Sequence, residues 1–461
     1  MEMADTDPWW WTIRTARQEL SGGHISHTEY LAALQARTID RSWLNAFAYR
    51  AFDDTVQGTV AARSYGVGEL AGIPLAVKDN IDTRDAPTTA GTAALQGRVP
   101  RADNTAVARV RAASGLLAGK TVMHELSLGI TSNNAVTGPA RNPYDPSLIA
   151  GGSSGGTATA VAAGMVPAGL GADTGGSVRQ PASLCGLVGF RPTVGRYPPG
   201  GAVPLSRTRD TIGPMARSVA DVVLLDAVLA GAPAASGPVP LRGIRIGVPE
   251  NPFYRDLDAE VDVIARRTLE RLAVSGAELV PVDLSETAER ADGAGTPIVL
   301  HELARDLPGY LDGQGYELSF DDVRHGVRSP DVRELLGDGA EAEIDAELYR
   351  MAMVEREHAR HEYQELLARH DLRALLQPTC PLPARPIGQD TTVELNGRSV
   401  PTFGAYVRHA NLAGVLGLPA ISVPAGHTVT GLPVGFEINS SPGDDDTVLG
   451  LAASVEAVLA A

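Results

Sequence analysis

Residues 150–193 read AGGSSGGTATAVAAGMVPAGLGADTGGSVRQPASLCGLVGFRPT. Two serine clusters are set among glycines there, Ser153–Ser154 and Ser177, with Ser177 lying 24 positions after Ser153. From Pro146 to Ala172 there are 27 consecutive uncharged residues, but glycine, serine, threonine and Pro167 recur through them, which makes a poor membrane-spanning helix. Gly175 and Gly176 have no side chains to shield their amides. The turn Thr174–Ser177 can therefore aim several N–H groups at one oxygen above Ser177, an arrangement that stabilises charge developing on a tetrahedral intermediate.

A serine hydroxyl is a poor nucleophile near neutral pH and needs a base to take its proton. Toward the N-terminus, Ile73–Val77 is a short apolar run that ends on Lys78, Asp79 and Asn80, the pattern of a strand that delivers polar groups as it leaves the core. A lysine serves as a base only when burial or nearby positive charge lowers its pKa. The three clusters thus supply both a nucleophile and a base.

Strand and helix patterns alternate around this region, so the fold class is α/β. Residues 1–70 read as a helical cover, with helical spacing over Thr12–Leu20 and His27–Asp40 and hydroxyls for an N-cap at Ser26 and Thr28. The run Trp9–Trp11 reads as packing material. Asp103 or Asn104 can cap a helix through Val107, Val110 and Ala113, followed by a strand at Leu116–Ala118. Ser218 can cap a helix over Val219–Asp226; a strand follows at Ile244–Val248, then a helix from Val261 to Leu272. Residues 285–350 are acidic and broken by glycines, whereas Met351–His370 is a long polar helix. Ile421–Val423 and Leu432–Phe436 are again strand-like. A composition shift near residue 235 is a candidate domain boundary, although strands beyond it are free to join the same sheet.

The composition limits the partners. The chain has 461 residues, 44% hydrophobic and 20% charged, which is globular rather than disordered. Its net charge of −16, with no basic block, opposes a nucleic-acid backbone. Glu2, Asp5 and Asp7 precede the tryptophans where a secretory signal would be basic and then apolar. Cys185 and Cys380 form no ligand motif or disulfide framework. A soluble cytoplasmic protein, with no nucleic-acid or membrane partner, is the expectation.

The sequence resembles the amidase signature family, the Ser–Ser–Lys hydrolases. The likeness runs nearly continuously from Gly72 to Asp226 and resumes in NLAGVLGLPAISVPAGHTVTGLPVGFE at 411–437. The resemblance implies one domain over 1–461, a large mixed β-sheet covered by helices on both faces. It further implies Ser177 as nucleophile, Ser153 as bridging serine after a cis peptide bond, and Lys78 as base and proton source. Thr174, Gly175, Gly176 and Ser177 fall on the oxyanion loop, and Ser154, Asp173 and Arg179 on supporting positions. Asp173 is expected to hold the turn by accepting hydrogen bonds, and Arg179 to neutralise a nearby acid. Asp210, with GPMAR at 213–217, also follows the family pattern, whereas Val122 stands where relatives often have Asn.

Other patterns compete less well. GGSSG at 151–155 fits the G-x-S-x-G elbow, but that reading leaves Lys78 and Ser177 unused. GKT at 119–121 lacks the upstream glycines of a phosphate loop. His358 and His361 fit a solvated helix face better than a metal site, and His124 beside Glu125 is not needed as the base. No cofactor or metal is implied. TSNNAVTGPARNPYDPS and the stretch around RTRDTIGPMAR resemble the indoleacetamide and mandelamide hydrolase branch, which implies a small aryl or arylalkyl primary amide as substrate. The segment 285–410 is expected to supply much of the pocket wall. Phe320, Tyr349, Tyr363, Phe403 and Tyr406 are wall candidates for which core packing is an equal reading. Two rival functions are the glutaminase subunit of a tRNA-dependent amidotransferase and a catalytically silent structural protein. A homodimer is left open.

Overall fold

The computed structural model describes residues 7–52, 68–337 and 346–461. Parts of the expected N-terminal cover and of the acidic region, at 53–67 and 338–345, lie outside the described residues, as do Glu2 and Asp5.

The strands are β1 (Phe47–Arg50), β2 (Pro74–Lys78), β3 (Leu116–Thr121), β4 (Asn133–Asn134), β5 (Gly138–Pro139), β6 (Ala168–Asp173), β7 (Val188–Arg191) and β8 (Thr211–Ala216). They continue as β9 (Arg245–Pro249), β10 (Glu278–Asp283), β11 (Ala374–Pro378), β12 (Thr392–Leu395), β13 (Arg398–Pro401), β14 (Ala420–His427) and β15 (Pro433–Asn439). Eleven of them form one sheet in the order β1-β3-β2-β6-β8-β7-β14-β15-β11-β9-β10, and β4–β5 and β12–β13 form two small hairpins. The sheet is mixed. Parallel pairing joins β3, β2 and β6 and again β11, β9 and β10, with antiparallel ladders between. Helices flank it, giving the expected α/β architecture.

Strands before and after residue 235 share this sheet, so the composition shift there marks a surface connection. The N-terminal cover contains one element that the apolar spacing did not predict, since β1 pairs antiparallel with β3 at the sheet edge. Its helices occupy Ile13–Ser21 and His27–Asp40, and Ser26 closes the second with a capping box to Glu29. The tryptophans pack as expected. Arg37 lies over Trp9 and Trp10, and Trp11 stacks on Tyr30.

The largest departure lies at 285–314. Its acidic, glycine-broken sequence suggested irregular chain, yet Ser285–Gln314 is one helix, with Pro297 and Pro308 inside it. Burial of Ala288, Ala291, Ala294, Ile298, Leu303, Leu307 and Leu311 at helical spacing outweighs the low propensity. This helix packs on those at Ala346–Arg369 and Thr402–Leu416, which encloses the space above the carboxyl ends of β2 and β6.

Candidate functional site

The site begins at the carboxyl ends of two neighbouring parallel strands, a usual place for ligand chemistry in an α/β sheet. β2 and β6 run in register from Leu75 opposite Ala168 to Val77 opposite Leu170, so Lys78 emerges beside the end of β6. Every residue of β2 is buried, Lys78 included. Its Nζ donates to Ser153 Oγ at 2.8 Å and to the Ala172 carbonyl at 3.3 Å. Burial lowers the Lys78 pKa to about 7, against the opposing charges of Asp210 and Asp173. An amine so placed is substantially neutral near neutral pH and able to take a proton.

Ser153 follows a cis Gly152–Ser153 peptide at the start of the helix Gly155–Ala162. Gly152 is required by close approach. A Cβ there would stand 2.9 Å from the Ile130 carbonyl carbon and 2.8 Å from Ser132 Oγ. Ser154 fastens the neighbouring pieces: its N–H donates to the Ser177 carbonyl at 3.2 Å, and its Oγ donates to the Ala172 carbonyl at 3.2 Å. Ser177 itself sits at the wall of a cavity of about 530 Å³, together with Thr174 and Gly175.

The turn between β6 and the helix Arg179–Leu184 is organised by Asp173. Its buried carboxylate accepts from the Gly176 N–H at 2.9 Å, the Val178 N–H at 3.1 Å, Arg179 Nε at 3.1 Å and Nη2 at 3.0 Å, and Arg191 Nη1 at 3.0 Å. Burial alone would raise its pKa; Arg179 and Arg191 overcome that and hold it well below the usual carboxylate range. Arg179 also donates to Glu437 at 2.9 Å, so it neutralises two acids. Asp173 thus accepts hydrogen bonds from the turn, and Arg179 pairs with two acids. Asp210 accepts from Thr174 Oγ1 at 2.6 Å and from the Leu205 and Ser206 amides at 2.9 Å, tying the turn to the chain ahead of β8.

One amide departs from the expected donor set. Gly176, at φ 118°, commits its N–H to Asp173 and does not line the cavity. Gly175 and Ser177 are the turn residues beside Thr174 that do line it, so the glycine pair divides its work between shaping the turn and facing the cavity.

The cavity walls are mainly apolar, with Leu128, Ile130, Leu205, Val299, Leu300 and Val407 among them. Thr296, Leu335 and other residues of the 285–410 segment complete much of the wall. Of the five aromatic wall candidates, only Phe403 lies on the cavity. Tyr363 and Tyr406 are buried, with hydroxyls donating to Asn439 and to the Pro383 carbonyl, and Tyr349 donates to Glu302. Phe320 packs with Leu307, Leu311 and Val323. Their ring size suited a pocket, but each is used in packing.

The histidines singled out in the sequence fall in different surroundings. His358 and His361 are exposed beside Glu355 and Glu365. His124 is buried, 3.0 Å from Asp331 and 3.4 Å from Thr131 Oγ1, while Glu125 accepts from the Arg328 and Ser329 amides. Among the described residues, no group of three or more His, Cys, Asp or Glu could hold a metal, and no helix is long and apolar enough to cross a membrane. Sequence reading missed Arg209, Asp331, Asp390 and Asn411 on the cavity wall. Arg209 and Asn411 had local signals, the first beside Asp210 in RTRDT and the second opening the stretch at 411–437.

A family model described as Amidase matches residues 29–449. An indoleacetamide hydrolase of Agrobacterium vitis is 46% identical over 85% of this chain and 84% of its own length. A mandelamide hydrolase of Pseudomonas putida is 38% identical over 98% of this chain and 92% of its own. A crystal structure of an amidase superposes with a TM-score of 0.85 at 36% identity, covering 97% of this chain and 99% of the other. With a family match over residues 29–449 and relatives 46% and 38% identical over most of both chains, the chain belongs to the amidase signature family.

Proposed function

We propose that this protein hydrolyses small aryl or arylalkyl primary carboxamides to the carboxylic acid and ammonia. The observation that carries the reading is the buried Lys78–Ser153 hydrogen bond, joined to Ser177 through the Ser154 N–H that donates to its carbonyl, with Ser177 on the wall of a largely apolar cavity. The branch resemblance and the names of the related hydrolases support the substrate class.

In the proposed cycle neutral Lys78 accepts the Ser153 proton while Ser153 accepts that of Ser177. Ser177 Oγ attacks the amide carbon, and the negative charge on the carbonyl oxygen is taken up by the Gly175 and Ser177 amides. Collapse of the intermediate breaks the C–N bond. The leaving nitrogen receives its proton back through Ser153 and departs as ammonia, which leaves an ester on Ser177. Water then attacks that ester, its proton passing along the same relay, and the acid is released with Ser177 restored.

An aromatic acyl group fills apolar space with large area and few rotatable bonds. At about 25 cal/mol per Å² of apolar surface removed from water, a buried ring is worth roughly a hundredfold or more in kcat/KM. The test is kcat/KM of the isolated chain on phenylacetamide, acetamide, an N-alkyl anilide and glutamine. Phenylacetamide is expected to lead. A preference for glutamine, or activity only with added partner subunits, would replace the reading with an amidotransferase subunit.

A further inference from the structure

Three arginines are buried around the nucleophile turn, and they are not compensated alike. Arg179 faces Asp173 and Glu437, and Arg191 faces Asp173. Arg209 is also buried, at 3% exposure; Asp210, Glu302 and Asp292 act on it by charge, but among the described residues none of them makes a direct ion pair with it. Its Nη1 donates to the Gly295 carbonyl at 2.7 Å and its Nη2 to Asn411 Oδ1 at 2.8 Å, while its Nε is buried without an acceptor. Asn411 in turn donates to Asp292 at 2.8 Å, which fixes the amide so that its oxygen faces the guanidinium. Arg356, the other nearby buried arginine, donates to the Val415 and Thr208 carbonyls and is absent from the cavity wall.

A buried cation with no carboxylate in direct contact is costly, and the cost falls when an anion arrives at it. Arg209 stands where an anion would arise. It lines the same cavity as Ser177, and its Nη2 is 3.3 Å from the point a Cβ on Gly175 would occupy. The other charged groups on the wall are the carboxylates Asp331, Glu334 and Asp390. Asp331 lies against His124, and Asp390 accepts from Thr131 Oγ1 at 2.6 Å and Asn133 Nδ2 at 2.7 Å. Those acids repel a carboxylate, so the cavity has one wall that attracts an anion and another that excludes it.

We propose that Arg209 is the anion-binding residue of this cavity and holds the carboxylate of an aryl or arylalkyl acid, the product of the proposed reaction. The inference rests on that reading of the cavity as an acyl site. Ligand binding to Arg209 then makes the enzyme subject to inhibition by its acid product, with the charge contact in addition to contacts the neutral amide makes.

The experiment uses phenylacetate as the probe and 2-phenylethanol as its neutral counterpart, each titrated calorimetrically into the full chain. Arg209→Gln is expected to weaken phenylacetate binding at least tenfold, about 1.4 kcal/mol, and to leave 2-phenylethanol nearly unchanged. Arg209→Lys, which keeps the charge, is expected to recover most of the loss. Equal weakening of both ligands, or of neither, overturns the assignment. If Arg209→Gln does not fold, the wild-type side-chain Nε–Hε resonance of Arg209 decides: phenylacetate must move it and 2-phenylethanol must not, and any other pattern overturns the proposal. Binding is read without turnover, so a chain that binds phenylacetate through Arg209 but cleaves no aryl amide rejects the proposed function alone.

Discussion

Lys78 joins a stability cost to an activity. Its pKa falls from 10.5 to about 7 through burial, so between those values the unfolded chain binds more protons than the folded one. Stability conferred at this position therefore rises with pH from about 7 to 10.5, and the full penalty is present below 7. Lys78→Met removes the titration. Denaturant unfolding at pH 7 and pH 9 is expected to show the wild type gaining roughly 2–3 kcal/mol more than this variant over that interval, and an equal gain in both would contradict the buried amine. Under the proposed relay the same pKa governs activity: kcat/KM of the wild type is expected to fall about tenfold per pH unit below 7 and to level off above it. Asp173 makes a contrasting case. Asp173→Asn withdraws the carboxylate from Arg179 and Arg191, so a loss of roughly 3–5 kcal/mol is expected in chemical denaturation, with activity lost as the turn loosens.

At the scale of elements, the amidase-like core was legible because its signals are local. Lys78 ends an apolar run, Ser153 and Ser177 sit among glycines, and Ser26, Asn104 and Ser218 each stand one residue ahead of a helix they cap. β6 was harder to read. Ala168–Asp173 is small and glycine-rich, and becomes a strand because β2 and β8 bracket it. The helix Ser285–Gln314 was hidden by its glycines and acidic residues, and Arg209 and Asn411, 202 positions apart, meet only through the tertiary fold. Two substitutions separate local capping from core packing. Ser26→Ala is expected to cost about 1 kcal/mol in thermal or denaturant unfolding with kcat unchanged. Ile298→Ala, on the buried face of the long helix, is expected to cost roughly 2–5 kcal/mol and to raise KM, because neighbouring Val299 and Leu300 line the cavity. A KM unaffected by the second change would detach that helix from substrate binding.

Across the whole molecule, an eleven-stranded sheet links residues from β1 to β15, with the candidate catalytic residues Lys78 and Ser177 just beyond its parallel β2–β6 pair. This connectivity explains how side chains 99 positions apart in sequence, Lys78 and Ser177, can serve one reaction. It also supports the proposal of one domain, for which calorimetry is expected to give a single unfolding transition; independent melting of the chain before and after residue 235 would refute it. The central claim is that the whole enzyme passes through an ester on Ser177. Intact-protein mass spectrometry, followed by peptide mapping after rapid acid quench of turnover with phenylacetamide, tests it most directly. The account expects a phenylacetyl mass increment on the peptide containing Ser177, absent from Ser177→Ala, whereas a stable adduct on another residue, or undiminished turnover by Ser177→Ala, would contradict it.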